Sequence, residues 1–509
     1  MAATDTRPGT GDIRIPARAE AGAADARLTP AQNRVVWLLL AAAFVAILNE
    51  TTMGIAIPHL IGDLGITALQ AQWLTTAFML TMAVIIPITG FLLRRFTTRA
   101  VFVAAMSLFS LGTLIALVAP GYEVLVAARV VQASGTAIMM PLLMTTLMTV
   151  VAPHARGRMM GRVSVVIALA PAIGPTMAGL VLDTLSWRWI FGIVLPIALV
   201  ALGVGARWIH NLGETTRAPI DALSIVLSAF GFGGIVFGLS QIGVVAEQST
   251  ADSATGALSI VTLSVAFGVG VVSLGLFVWR QIVLQRVDDA LLDLRVFRSL
   301  NFSLAIGQIA LLSIAFFGAI TVLPLYMKTV LGIGALETGL AVLPGALVMG
   351  LVGPIVGRVY DRRGTRVLLV PGTIIASALL WFYTTFDQST TIWTIAVAQT
   401  ILSLGLAMSF TPLFTASLAS LQPRFYSYGS AVLGTVQQVA GAAGIALMVT
   451  VLTAVTASAA GAGATEAAAG AAGADAAFLI AAIASVPMIV GAFLIRKPAD
   501  TPEAMPAGH

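Results

Sequence analysis

One carboxylate and one guanidinium, set in otherwise apolar sequence, are the groups of this chain best placed to do chemistry. Glu50 lies in "VAILNETTMGIAIP" and is the single acid within an apolar span; Arg129, in "LVAARVVQASG", is the single base. An ionisable group at membrane depth costs roughly 2.5–3.5 kcal/mol even on lenient insertion scales, so each marks a functional site by default. At 1.5 Å of rise per residue, both fall roughly 8–10 Å below the same surface, counted from the predicted span ends. Burial opposes ionisation of a carboxylate and a neighbouring guanidinium favours it, so a balanced site can take up and release a proton near neutral pH. Glu50 and Arg129 are therefore expected to handle a coupling proton. The plainer alternative is a static pair that only orders the bundle. Gln132, one turn from Arg129, and Asn49, beside Glu50, either support that site or act as polar glue between helices.

Other residues have a place around such a site. In "APAIGPTMAG", Pro171, Gly174, Pro175 and Gly179 crowd one span. Proline bends a helix and glycine permits close approach, so Gly174, Pro175 and Gly179 are expected to form a hinge, with plain packing as the alternative. Met139, Met140, Met144 and Met148 recur on the span of Arg129. Polarisable Met suits a surface that repacks around varied apolar ligands, or an ordinary core. Met140 and Met144, with the adjacent amides Gln437 and Gln438, are the expected lining of a substrate cavity. Asp361 and Arg362, at the inner end of a later span, are candidates for a cytoplasmic gate that pairs with helix ends or with basic groups of the other bundle; a solvated loop is the alternative.

Catalysis finds no support. The four histidines, His59, His154, His210 and His509, lie at span ends, in loops or in the tail, and no intramembrane nucleophile–base pair or metal-ligand cluster is visible. No G-x-x-x-x-G-K-[ST] loop occurs, so ATP-driven pumping is unsupported. Neither an enzyme nor a metal site is expected, and no cofactor beyond a coupling proton. Cysteine is absent, which removes disulfide and thiol chemistry.

The elements that must position these residues are helices in a bilayer. Hydrophobic residues make up 58% of the chain and charged ones 10%, against about 25% charged in soluble proteins. Mean hydropathy is +0.99. Apolar runs of about 20 residues recur along the whole chain, which is the pattern of a multi-pass α-helical membrane protein. The predicted spans number fourteen. With the amino terminus in the cytoplasm, 24 of the 27 Lys and Arg fall on the cytoplasmic side, whereas Arg188 and Lys328 fall outside. That asymmetry sets orientation and explains a pI near 10 without nucleic acid. Both termini are expected in the cytoplasm, at the inner membrane.

"GFLLRRFTTR" from Gly90 and "GRVYDRRGTR" from Gly357 each close the second span of a six-span group. This repeat predicts two six-helix bundles of like orientation. The expected organisation is a disordered tail over 1–34, an N-terminal bundle over 35–206, two inserted helices with linkers over 207–301, a C-terminal bundle over 302–495 and a tail over 496–509. The Ala/Gly-rich stretch from Thr456 to Ala476 reads as a flexible outer loop.

Together these motifs resemble the major facilitator superfamily, in its fourteen-span drug:proton antiporter branch, over about Val35 to Ile495. "LNETTMGIAIPHLIGDLG" is similar to that branch's first-span motif, with Glu50 near a position most members fill with Asp. "VLVAARVVQASG" resembles the fourth-span motif, whose arginine, here Arg129, is implicated in proton coupling. "GPTMAGLVLDTLSWRWIF" resembles the fifth-span antiporter motif, and "GSAVLGTVQQVAGAAGIAL" the thirteenth span. The "LNET" and "RRFTTR" variants are similar to pumps for lincosamide- and puromycin-like antibiotics. The loop pattern G-x-x-x-D-R-x-G-R keeps Asp361 and Gly364 in its second copy but has Arg94 and Thr97 in its first. The resemblance implies a major facilitator fold and proton-coupled export of amphipathic organic compounds by alternating access. Export of one endogenous lipid or metabolite is the alternative, and a membrane sensor or channel a weaker one. Expected partners are small amphipathic substrates and the lipid bilayer, without nucleic acid or ATP.

Overall fold

Lipid offers no partner to backbone N–H and C=O groups, so each apolar stretch satisfies its own backbone as a helix. A computed structural model describes residues 29–211, 221–251 and 253–497. In chain order the helices are α1 (Pro30–Leu64), α2 (Ala68–Arg95), α3 (Thr98–Leu117), α4 (Tyr122–Val150), α5 (Arg156–Thr184), α6 (Arg188–Trp208) and α7 (Ala222–Ala251). They continue as α8 (Ser253–Leu284), α9 (Leu300–Thr329), α10 (Ala335–Arg363), α11 (Arg366–Tyr383), α12 (Ile392–Ala419), α13 (Tyr426–Gly461) and α14 (Glu466–Leu494). Among the described residues, 14 helices are long and apolar enough to cross a membrane.

Two boundaries differ from expectation. The first helix begins at Pro30, inside the expected tail, because Thr29 and Gln32 form a capping box and Pro30 takes the first helical position, where its missing N–H costs nothing. Residues 1–28 and 498–509, where the terminal tails were expected, lie outside the described residues. The outer loop expected over Thr456 to Ala476 is almost entirely helical. α13 runs on to Gly461, Thr465 caps α14, and Gly463 makes the turn at φ 90°. Alanine is the strongest helix former, and its number here outweighs the interspersed glycines.

The internal repeat is visible in the packing. α1 lies against α4, α5 and α6, and α9 lies against α12, α13 and α14. In the same way α4 touches α2 and α3 while α12 touches α10 and α11, and α3 meets α6 as α11 meets α14. Each half is therefore the same six-helix bundle. The bundles meet along two seams, α5 with α10 and α2 with α13, which exchange under the repeat. α7 and α8 pack on each other where Gly234 faces Gly270, whose Cα would stand 2.8 Å from a Cβ on Gly234. α7 lies across α2 and α13, with the Trp73 and Phe237 rings tilted at 33° to each other and 5.7 Å apart between centroids. The inserted pair thus covers one seam and leaves its counterpart bare.

Candidate functional site

Arg129 is sealed inside the N-terminal bundle at 1% exposure. Its Nη1 donates to Gln132 Oε1 at 2.6 Å and to Asn49 Oδ1 at 3.2 Å, and Nε reaches the Leu74 carbonyl at 3.5 Å. The guanidinium lies over the Phe78 ring, 4.0 Å from its centroid, a cation–π contact that is strong when desolvated. Gln132 is itself oriented, donating from Nε2 to Thr113 Oγ1 at 2.8 Å. Gly112 makes this possible, because a Cβ there would run into the backbone of Gln132. Four helices, α1 to α4, therefore fix one cation with neutral partners. Sequence reasoning found Asn49 and Gln132. It missed Phe78 and Thr113, whose types are common in any span and whose contacts come only with the fold.

Glu50 is half-buried and makes no hydrogen bond or ion pair among the described residues. It follows Asn49 directly and stands within electrostatic reach of Arg129. The two charges are neighbours without forming the contact ion pair of the static reading. Gly174 lies beside them: a Cβ there would strike Thr51 Oγ1 and come within 3.4 Å of the Leu48 carbonyl. The α5 glycine thus touches the very turn of α1 that carries Glu50. Gly179 differs, since a Cβ there would meet nothing within 4 Å, so close approach does not account for it. Pro175 lies on the helical path of α5, and its side chain is outside the described residues.

The bundles are fastened at the face that carries the short basic loops. Asp361, at the end of α10, accepts from the backbone N–H of Gly157 at 2.7 Å and of Arg158 at 2.8 Å. It thereby caps the open first turn of α5 from across the seam. Gly161 and Gly353 allow the two backbones to touch, as a Cβ on Gly353 would stand 2.7 Å from the Gly161 carbonyl oxygen. On the other seam the repeat places Arg94 where α10 has Asp361. Arg94 donates to Tyr428 Oη at 3.0 Å and lies 5.2 Å from the centre of that ring. Between the seams, Arg156 donates to Tyr426 Oη at 3.1 Å. Of the two expected gate residues, Asp361 makes the contact with the start of α5, while Arg362 is exposed and outside it. Of the two kinds of partner expected for Asp361, a helix end of the other bundle is the one that donates to its carboxylate among the described residues.

Two further bonds join the bundles, Thr145 with Ser430 and Ser164 with Thr411, each at 2.7 Å. All of these lie in the half nearer the basic loops. Glu50 and Arg129 lie in the opposite half, where Gly54, Gly179 and Gly339 face open space. Met144 is sealed in the core with Met139 and Met148, whereas Met140 stays partly exposed. Gln437 and Gln438, on α13, are half-exposed and make no side-chain hydrogen bond among the described residues.

Comparison with known proteins agrees with this architecture. Residues 39–445 match the family model described as Major Facilitator Superfamily. A curated relative, "Lincomycin resistance protein LmrB" of Bacillus subtilis (strain 168), is 38% identical over 404 residues, spanning 79% of this chain and 82% of its own. "Uncharacterized MFS-type transporter YcnB" of the same organism is 41% identical, spanning 80% and 84% respectively. "Multidrug resistance protein B homolog" of Mycobacterium tuberculosis (strain ATCC 25618 / H37Rv) is 28% identical, spanning 86% and 77%. Among solved structures, the human organic anion transporter MFSD10 (TETRAN) shares the fold at a TM-score of 0.62 and 13% identity, covering 91% of this chain and 100% of that one. With its repeated six-helix bundles, inserted helix pair and family match over most of its length, the chain belongs to the Major Facilitator Superfamily.

Proposed function

We propose that this protein is a proton-driven antiporter that exports small amphipathic organic compounds, antibiotics among them, across the cytoplasmic membrane. The basic loops and both termini face the cytoplasm, by the distribution of Lys and Arg. One observation carries the reading: among the described residues Glu50 is an acid without a hydrogen-bond partner, beside a rigidly held Arg129, in the half where no hydrogen bond joins the bundles. Such an acid is reachable from outside while the cytoplasmic side is fastened. Proton uptake there, followed by opening of the cytoplasmic side, carries the proton inward, and substrate leaves in the reverse exchange. Names of relatives such as the lincomycin resistance protein support antibiotics as a substrate class. The test is gradient-driven efflux in inverted vesicles over a chemically varied panel that includes a lincosamide. Glu50→Gln cannot ionise and should abolish gradient-driven transport while substrate binding persists. Wild-type transport by that variant would remove Glu50 from the mechanism.

A further inference from the structure

The linker between α8 and α9 forms a second concave site, at the basic face and remote from Glu50. A cavity of about 370 Å³ is lined by Ile282, Gln285, Arg286, Arg295 and Arg298. Three guanidinium groups face it and no acid lines it. Arg295 is held rigidly: its Nε donates to both carboxylate oxygens of Asp293 at 3.0 Å, and its Nη2 to Asp293 at 2.6 Å and to Asp288. Asp293 is fully buried. Arg295 is therefore preorganised, and none of its hydrogen bonds among the described residues uses Nη1. Asp288, Asp289 and Asp293 offset the linker's three arginines in number, and Arg94 and Arg424 add positive charge within electrostatic reach of Asp288. The surroundings attract anions.

Two further features narrow the ligand. Gln285 Oε1 is buried and has no hydrogen-bond partner among the described residues, so the site calls for a donor as well as an anion. Beside the cavity, Trp279, Val283 and Val287 on α8 and its extension are exposed at 64%, 46% and 65%, and Leu300 at the start of α9 at 72%. Apolar side chains at this level are suited to acyl chains just below a headgroup. We propose that this cavity binds the headgroup of an anionic glycerophospholipid bearing a free hydroxyl. The phosphate is held by Arg286, Arg295 and Arg298, and the headgroup hydroxyl donates to Gln285 Oε1. Phosphatidylglycerol meets both demands, whereas phosphatidic acid supplies the phosphate without the glycerol hydroxyl.

The full-length protein in detergent is titrated with phosphatidylglycerol, phosphatidic acid, phosphatidylcholine or inorganic phosphate, with retained lipid read by native mass spectrometry and stability by thermal melting. Phosphatidylglycerol should be retained and raise the melting temperature, and phosphatidylcholine should do neither. Arg286→Gln and Arg298→Gln should each weaken retention about fivefold, from the usual worth of one arginine near an anionic surface. Arg298→Lys should restore part of the loss. Gln285→Leu should remove the preference for phosphatidylglycerol over phosphatidic acid while both remain bound. The single variants leave the Arg295–Asp293 pair in place, so loss of folding does not stand in for loss of binding. Equal retention of phosphatidylcholine, unchanged binding by both arginine variants, or full stabilisation by inorganic phosphate alone would overturn the proposal, the last by assigning the cavity to a free anion.

Discussion

Asp361→Asn tests whether the trans-cap of α5 is what keeps the side with the basic loops shut. The carboxylate now accepts two backbone N–H groups, at 2.7 and 2.8 Å, one on each oxygen. Asparagine keeps one acceptor oxygen, loses the other and loses the charge that complements the start of the helix. A hydrogen bond to a charged group is worth about 1.5–3 kcal/mol, so losing one should raise the share of molecules open on this side about 10- to 150-fold. The chain contains no cysteine, which allows a single reporter thiol. Ser164→Cys places it on α5 behind the fastening, at a residue only 6% exposed. Alkylation by a water-soluble maleimide in inverted vesicles then reports opening, because modification requires the seam to part. The rate should rise by at least tenfold in the Asp361→Asn background. Labelling at the same rate in both backgrounds would show that the cap does not hold the seam, and would leave the Gly161–Gly353 backbone contact and the Thr145–Ser430 and Arg156–Tyr426 bonds as the fastening.

Other consequences follow from the same geometry. Gly174→Leu should impair transport strongly, because its side chain would enter Thr51 and the turn carrying Glu50, at about 1–3 kcal/mol for overpacking. Gly179→Leu should transport normally, since open space faces it; efflux per inserted molecule compares them, and equal impairment would refute the distinction. Glu50→Asp should keep part of the efflux that Glu50→Gln loses, because it retains an ionisable group one methylene shorter; activity as low as the Gln variant would argue against proton handling there. Hydrogen bonds from Arg280, first, and from Ser224 hold the Asp221 carboxyl down to about 2, below its usual 3.8. A depressed carboxyl stabilises the fold above its unfolded value and loses that contribution as pH falls through the folded one. The melting difference between wild type and Arg280→Gln should therefore be constant above about pH 5 and shrink between 3.8 and 2; a difference that persists at the acid end would contradict the assignment.

Much of this was legible in the residues. Span number, the internal repeat and the shared depth of Glu50 and Arg129 follow from apolar run length, basic loops and helical rise, all of them local quantities. The partner of each polar group was not legible. Arg129 takes two amides, a backbone carbonyl and the Phe78 ring in place of a direct bond to Glu50, because tertiary packing decides which face of α1 meets α4. Spans that are apolar all round carry little amphipathic signal, so the sequence did not separate the buried Met144 from the half-exposed Met140. Gly174 and Gly179 look alike in "APAIGPTMAG" and differ only in what the neighbouring helix brings to them. The helical run to Gly461 was hidden by glycines that suggested a linker, although the surrounding alanines decide the conformation.

The bare and covered seams give the molecule a handedness that its repeat lacks. Two identical halves joined at equivalent edges would gape evenly. Here one edge carries α7 across it, together with the Arg94–Tyr428 contact, like the spine of a book. The other is held at its basic-loop end by Asp361 and touching glycines, like a clasp at the fore-edge. Motion that parts the clasp disturbs no third layer, whereas motion that parts the spine must also carry α7 away from α2 or α13. Parting the α5–α10 edge means separating backbones that touch at Gly157–Gly357 and Gly161–Gly353, whereas parting the α2–α13 edge means displacing α7 as well, so the two edges resist opening by different means.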